Sequence, residues 1–262
     1  MTSQQQLTEV WDYRELLYFL AWREIKIRYK QAALGALWAV IQPLFTMVIF
    51  TLFFGRLAGM KPDGIPYPIF AYCALVPWIY FSGVLGQAGN SLIANSNLIT
   101  KVYFPRVLLP TASALAALLD FIVSSSLLFL LMAYYGVWPT WRVVYIPLLT
   151  LVMVMLTLGV SMFLAALNVR FRDIKYTLPF LIQLWLFITP IVYPPTIVPA
   201  RFRVLLALNP CFGLVEGFRA SLIPGATADP RLLMISIGVT CGLFGFGAVY
   251  FRKTEESFAD IV

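Results

Sequence analysis

The chain has 262 residues, of which 61% are hydrophobic, 16% aromatic and only 12% charged, with a formal net charge of +7. A soluble domain carries roughly 25% charged residues and about half apolar ones, so this composition excludes a water-soluble fold and makes the bilayer the solvent. With no histidine and only 3 cysteines (Cys73, Cys211 and Cys241), it also offers no disulfide framework and lacks the commonest zinc and proton-relay ligand.

Taken in chain order, Met1–Gln6 is polar and resembles no cleavable signal peptide. Residues 1–33 are expected to form a cytoplasmic N-terminus and residues 34–262 a transmembrane domain. Within the first, Tyr18, Trp22, Ile25 and Tyr29 recur at helical spacing and share one face, while Arg23, Glu24, Lys26, Arg28 and Lys30 occupy the other. That pattern describes an amphipathic helix lying in the cytoplasmic membrane interface. It is either a simple anchor, or a device whose cations Arg23, Lys26, Arg28 and Lys30 meet an anionic lipid headgroup or whose surface meets a cytoplasmic partner.

Charge-poor stretches follow at about 34–55, 69–88, 107–135, 143–168, 178–193 and 232–251. None alternates with period 2, so an all-α integral membrane protein of six transmembrane helices is expected rather than a barrel. Twelve of the 19 Lys and Arg residues fall on the N-terminus, the second and fourth loops and the tail, and seven on the opposite side. This bias places both termini in the cytoplasm. Because the basic residues flank spans, their partners are lipid headgroups and not nucleic acid.

The second cytoplasmic loop, Asn95–Pro110, carries Leu98, Ile99, Val102, Tyr103 and Phe104 among Asn97 and Lys101. Such apolar residues exceed what a solvated connector needs and suggest a docking surface. In the third span Asp120 is the one ionisable residue placed deep in the bilayer, a default functional candidate. Ser124, one turn on, is one candidate partner, with protonation or pairing with backbone or an interfacial residue as the others, and a structural hydrogen bond is favoured over a proton relay. After the fifth span, 204–223 is apolar but broken by Asn209–Pro210, with Glu216 and Arg219 three residues apart. Proline and its predecessor interrupt helix, so a re-entrant helical hairpin is expected there. A seventh span would carry Arg252 and Lys253 outside. In the last span Gly238 and Gly242 form a small-xxx-small face, read as close helix packing in preference to dimerisation.

Four motifs carry a family resemblance: Trp22–Lys30 followed by Leu34–Trp38 and Gln42–Pro43; Asn97–Lys101 with Phe104–Arg106; Asn168–Ile174; and Asn209–Pro210 with Val215–Arg219. Together they resemble the membrane (permease) subunits of type-2 ABC exporters, in the branch that exports O-antigen, capsule and teichoic acid polysaccharides. The resemblance runs in register from Tyr13 to about Phe251. It implies a homodimer in the bacterial cytoplasmic (inner) membrane, each subunit bound to a cytoplasmic ABC ATPase. It further implies that Asn97, Leu98, Ile99, Lys101, Tyr103 and Phe104 form the coupling helix, that the N-terminal helix is the interface helix, and that Asn209, Pro210, Glu216 and Arg219 help to gate the outer end.

The residues support this division of labour. No G-x-x-x-x-G-K-[ST] stretch occurs, so the chain has no P-loop to cradle ATP phosphates. No cofactor is expected in it, and ATP with Mg²⁺ belongs to the partner. No paired carboxylates or nucleophile–base set suggests catalysis. Sugars stack their C–H faces on rings, and Trp38, Gln42 and Phe45 share one face of the first span, while Phe180, Trp185 and Phe187 lie in the fifth. These are candidate channel-lining residues, with lipid-facing or core packing as the plainer alternative. The cargo implied is a lipid-linked polysaccharide whose pyrophosphate would suit Arg23, Lys26, Arg28 and Lys30. Export of a small molecule such as a drug or haem is the alternative. An ion-coupled secondary transporter is a further one, disfavoured by the lack of charged relays and inverted repeats.

Overall fold

The computed structural model describes residues 11–30, 37–60, 62, 64–171, 173–255 and 258. Residues 31–36, including the start of the first expected span and Leu34 of the first motif, lie outside the described residues, as do Lys61 and Arg172 of the charge count. The helices are α1 (Arg14–Lys30), α2 (Trp38–Phe50), α3 (Tyr67–Ala88), α4 (Ser91–Ala94), α5 (Ser96–Lys101) and α6 (Leu108–Tyr134). They continue with α7 (Ile146–Arg170), α8 (Ile174–Ile188), α9 (Ala200–Ala207), α10 (Pro210–Leu222) and α11 (Pro230–Glu255). A π-helical stretch, Thr51–Leu57, extends α2, and a 3₁₀ turn, Trp141–Tyr145, leads into α7. All regular structure among the described residues is helical.

Among the described residues, five stretches are long and apolar enough to cross a bilayer: Trp38–Leu57, Tyr67–Ala88, Leu108–Tyr134, Trp141–Arg170 and Pro230–Glu255. They correspond to the first, second, third, fourth and sixth expected spans. The fifth differs from the expected 178–193. Its helix α8 has 15 residues, about 22 Å at 1.5 Å per residue, against roughly 30 Å of hydrocarbon. It ends where Thr189 turns to extended backbone (φ −84, ψ 133), because the ring of Pro190 disfavours helix at the residue before it.

The core is organised around α3, which is buried on nearly all sides by α6, α7 and α10. Ile69, Tyr72, Cys73, Leu75, Phe81 and Leu85 form its centre, and Leu156, Leu214 and Val215 close over it. Helices α7 and α11 cross in close backbone contact at Gly159 and Gly247. A Cβ on Gly159 would lie 2.5 Å from the Cα of Phe244, and one on Gly247 would collide with the Gly159 carbonyl. The small-residue contact is therefore made there and not at Gly238 and Gly242, where an added Cβ would meet nothing within 4 Å. Hydropathy marks a span but not which of its faces meets a neighbour.

Helix α2 carries Pro43 in its interior. Proline lacks the N–H that would bond the carbonyl four residues back, which is that of Ala39. Ser124 Oγ of α6 donates to this carbonyl at 3.2 Å. The candidate Ser124–Asp120 bond is thus replaced by a repair of the Pro43 defect.

The segments that charge bias assigns to one side gather at one end of the bundle. Leu20 of α1, Leu92 of α4, Ile99 and Phe104 of the 95–110 loop, and Phe251 and Phe258 share one apolar cluster. Arg106 N donates to Glu255 Oε1 at 2.8 Å, and Asn168 Nδ2 donates to the Gly89 carbonyl at 2.9 Å. At the other end Tyr67 Oη donates to the Val192 carbonyl at 2.7 Å, and Arg219 joins α10 to the chain after α8.

Candidate functional site

Helix α1 packs lengthwise along the first half of α6. Leu20 and Ala21 share an apolar cluster with Leu109 and Ala112. Two turns further along both helices, Arg28 and Tyr29 reach Asp120. The face that packs is thus Leu16, Leu17, Leu20 and Ala21, while Tyr18 and Trp22 of the aromatic stripe stay exposed. The apolar residues of α1 form two faces, and the tighter aliphatic one wins the helix contact.

Asp120 therefore has the cation that its depth in the span demands. Arg28 donates to Asp120 Oδ2 and to Gln87 Oε1, and Tyr29 Oη donates to Asp120 Oδ1. Burial, and after it the hydrogen bond to Asp120, raise the Tyr29 hydroxyl above its ordinary pKa, so it stays a donor. These groups line a cavity of about 290 Å³ whose wall also includes Trp38, Gln42, Tyr80 and Ser82. Two expected channel residues of α2, Trp38 and Gln42, and one expected headgroup ligand, Arg28, are thereby brought to a single cavity of mixed aromatic and amide character.

The other expected headgroup cations lie elsewhere. Arg23 donates to Asn95 Oδ1 at 2.6 Å and pairs with Glu24 at 3.4 Å, which ties α1 to the following loop. Lys26 is exposed, with its ammonium 5.8 Å from the Trp22 ring centre, and Lys30 is exposed. Phe45, Phe180 and Phe187 are exposed on the outer surface of the described chain. Trp185 is half-buried, set edge-on to Phe81 with ring centres 5.0 Å apart, and its Nε1 donates to Asn209 Oδ1 at 2.8 Å. It is held in the interhelical packing.

Along the 95–110 loop the six expected coupling residues divide into two sets. Ile99 and Phe104 are buried anchors and Leu98 is half-buried, whereas Asn97, Lys101 and Tyr103 are exposed, Tyr103 to 86%. The loop thus presents a polar and aromatic surface on an apolar foot.

The expected gate residues form a single structural node. Asn209 caps α10 by accepting from Cys211 N at 3.1 Å, and its Nδ2 donates to Thr189 Oγ1 at 2.9 Å. Pro210 occupies the first turn, where its missing N–H is harmless. Arg219 is only 2% exposed and donates to the carbonyls of Pro190 (2.6 Å), Ile191 (2.7 Å) and Phe70 (3.3 Å) and to Glu216 Oε1 (2.7 Å). Its guanidinium also lies 3.6 Å from the Phe70 ring centre. The carbonyls set free where α8 breaks at Pro190 are satisfied by this one side chain.

Gln87 and Tyr29 were not foreseen as members of the Asp120 cluster. The readable signal was Asp120 itself, since a lone carboxylate in a span needs a donor, and α1 holds the nearest dense supply of cations.

A bundle of apolar helices around a buried central span, with a polar cavity at the α1–α6 seam, defines a polytopic membrane protein. The chain belongs to the ABC-2 type transporter family, whose description matches residues 15–223. It is 35% identical over 257 residues to the O-antigen export system permease protein RfbA of Myxococcus xanthus, covering 97% of this chain and 98% of that one. A Klebsiella pneumoniae protein of the same name is 29% identical over 95% of each chain. The polysialic acid transport protein KpsM of Escherichia coli is 24% identical over 90% of this chain and 92% of its own.

Proposed function

We propose that the chain is the channel-forming membrane subunit of an ATP-driven exporter that moves a lipid-linked, O-antigen-like polysaccharide across the bacterial cytoplasmic membrane. The observation that carries this reading is the end-to-end similarity to an O-antigen export permease, over 97% of this chain and 98% of the relative. A shared domain alone would leave part of one chain unmatched.

In this reading two copies form the channel, and each binds a cytoplasmic ATPase that holds ATP and Mg²⁺. Both termini are cytoplasmic, supported by the gathering of α1, the 95–110 loop and the end of α11 at one pole of the bundle. The exposed Tyr103, Lys101 and Asn97 meet the ATPase, and buried Ile99 and Phe104 carry its movement into the bundle. Helix α8 makes the fifth of six crossings together with the chain that Arg219 holds after it. Helices α9 and α10, broken at Asn209, form a re-entrant hairpin at the outer end, supported by the burial of α10 against α3, α7 and α11. Helix α1 is the interface helix, and Arg28, Lys26 and Lys30 offer positive charge to the headgroup, with Trp38 and Gln42 nearby for the first sugars.

The test is deletion of the gene followed by localisation of the cell's lipid-linked polysaccharide, with affinity purification of the tagged chain. Cytoplasmic accumulation, loss from the surface and co-purification of an ATPase are expected. An unchanged surface glycan would overturn the cargo and leave a small-molecule exporter.

A further inference from the structure

We propose that Asp120 is a built-in counter-anion, which occupies Arg28 until a phosphate or pyrophosphate group enters the cavity and displaces it. This inference rests on the export reading above and assigns a site and a release step to the headgroup.

Four observations lead to it. First, the pair is accessible. Arg28 and Asp120 side chains are 23% and 25% exposed, and both line the cavity of about 290 Å³. A sealed pair would be closed to an incoming anion and would bear the full cost of desolvation, whereas these two side chains keep contact with the cavity.

Second, the chemistry is interchangeable. The guanidinium presents a planar fork of five donors that fits carboxylates and phosphates alike. Asp120 takes one arm and the neutral amide oxygen of Gln87 the other. A pyrophosphate offers several oxygens and more than one negative charge, so it can take both arms.

Third, displacement leaves both acceptors of Arg28 with hydrogen-bond partners. Asp120 Oδ1 also accepts from Tyr29 Oη, so the carboxylate keeps a donor after Arg28 leaves. Gln87 is exposed at the cavity edge and can turn to water. Fourth, the pair bridges two elements 92 positions apart in sequence. With the Tyr29–Asp120 bond it fastens the C-terminal end of α1 to α6, whose apolar contacts with α1 lie two turns earlier. Occupation of Arg28 by an external anion would therefore loosen that end of α1, with Tyr29 still holding Asp120, and couple headgroup arrival to a shift of the helix end.

The counter-anion idea makes opposite predictions for two variants that a structural ion pair would affect alike. The full-length chain is reconstituted in phosphatidylcholine nanodiscs and titrated with farnesyl pyrophosphate and, separately, with inorganic pyrophosphate. Asp120→Asn removes the competitor and should bind the probe about tenfold more tightly than wild type, the gain expected if the competent state is about a tenth of the population. Asp120→Glu keeps the carboxylate and should stay near wild type. Arg28→Gln should lose binding. Where Asp120→Asn does not fold, Asp120→Ser removes the same charge and is read in its place.

Tightening with both probes supports the proposal with the anion itself as ligand. Tightening with farnesyl pyrophosphate alone supports it with a lipid headgroup as ligand. Asp120→Asn binding no better than wild type, or Arg28→Gln binding as well as wild type, overturns it. A latch that fails in a chain whose deletion still blocks surface glycan leaves the export reading intact. A deletion that leaves surface glycan unchanged removes the export reading, whatever the titrations give.

Discussion

Trp185 Nε1 donates to Asn209 Oδ1 at 2.8 Å, and the same oxygen caps α10 by accepting from Cys211 N. One amide therefore sets the end of α8 against the start of α10, and its Nδ2 reaches Thr189 Oγ1 on the turn between them. Asn209→Ala removes the cap and leaves the Trp185 indole without its acceptor. A loss of about 1–3 kcal/mol is expected, read as a lower unfolding midpoint of the purified chain. Asn209→Asp keeps the acceptor and should recover most of the loss. Equal losses for both variants would show that the Thr189 contact, and not the cap, carries the effect.

Arg219 should be the most sensitive side chain at that pole. It serves four acceptors while 2% exposed, so its removal leaves the Pro190 and Ile191 carbonyls and the Glu216 carboxylate without their donor together. Arg219→Leu is expected to destabilise by about 3–5 kcal/mol, seen as loss of monodisperse protein after detergent extraction. The second change Glu216→Leu should restore part of it by deleting the stranded charge. A double variant no better than Arg219→Leu would place the penalty in the carbonyls alone. Lysine is no substitute, since a point charge cannot address four acceptors in fixed directions.

The glycines of α7 and α11 test the close crossing. At Gly159 and Gly247 an added methyl meets backbone, which cannot rotate aside, so either Gly→Ala change must push the two helices apart. Each should cost about 1–3 kcal/mol through overpacking. Gly238→Ala and Gly242→Ala face open space and should stay within about 0.5 kcal/mol or gain slightly from helix propensity. Thermal unfolding of the four single variants in one detergent decides between the two pairs, and the reverse order would sink the crossing described here.

Much of the helix layout was legible because a span is written locally, as some twenty apolar residues in a row. Five of the expected spans match helices of the bundle on that ground alone. The end of α8 was also written, in Thr189–Pro190, but apolar residues continue to Tyr193 and hydropathy runs past the break. The repair of Pro43 by Ser124 could be anticipated only in half: proline announces an orphaned carbonyl but not its donor, 85 residues away. The same limit hid the Arg28–Asp120 pair. The sequence shows a carboxylate within a span and several cations on α1, but their pairing, and the choice of Arg28, depend on how α1 lies against α6. Among the expected gate residues, Glu216 and Arg219 did form a pair, but their main partners are backbone carbonyls, which leave no trace in a sequence.

The division of the 95–110 loop into foot and surface gives the sharpest separation of stability from coupling. Phe104 is 3% exposed and sits in the cluster that joins Leu20, Leu108, Phe251 and Phe258. Phe104→Ala should therefore destabilise the chain by about 3–5 kcal/mol and lower the amount of folded protein before any transport is measured. Tyr103, at 86% exposure, touches little of its own chain, so Tyr103→Ala should leave the unfolding midpoint within about 0.5 kcal/mol of wild type. If its ring docks on the ATPase, the same variant should weaken co-purification of that subunit and reduce surface glycan, because exposed aromatics anchor interfaces. Tyr103→Phe, which keeps the ring, should restore both. A Tyr103→Ala chain that retains the ATPase and exports normally would move the contact to Lys101 and Asn97, the other exposed residues of the expected coupling set.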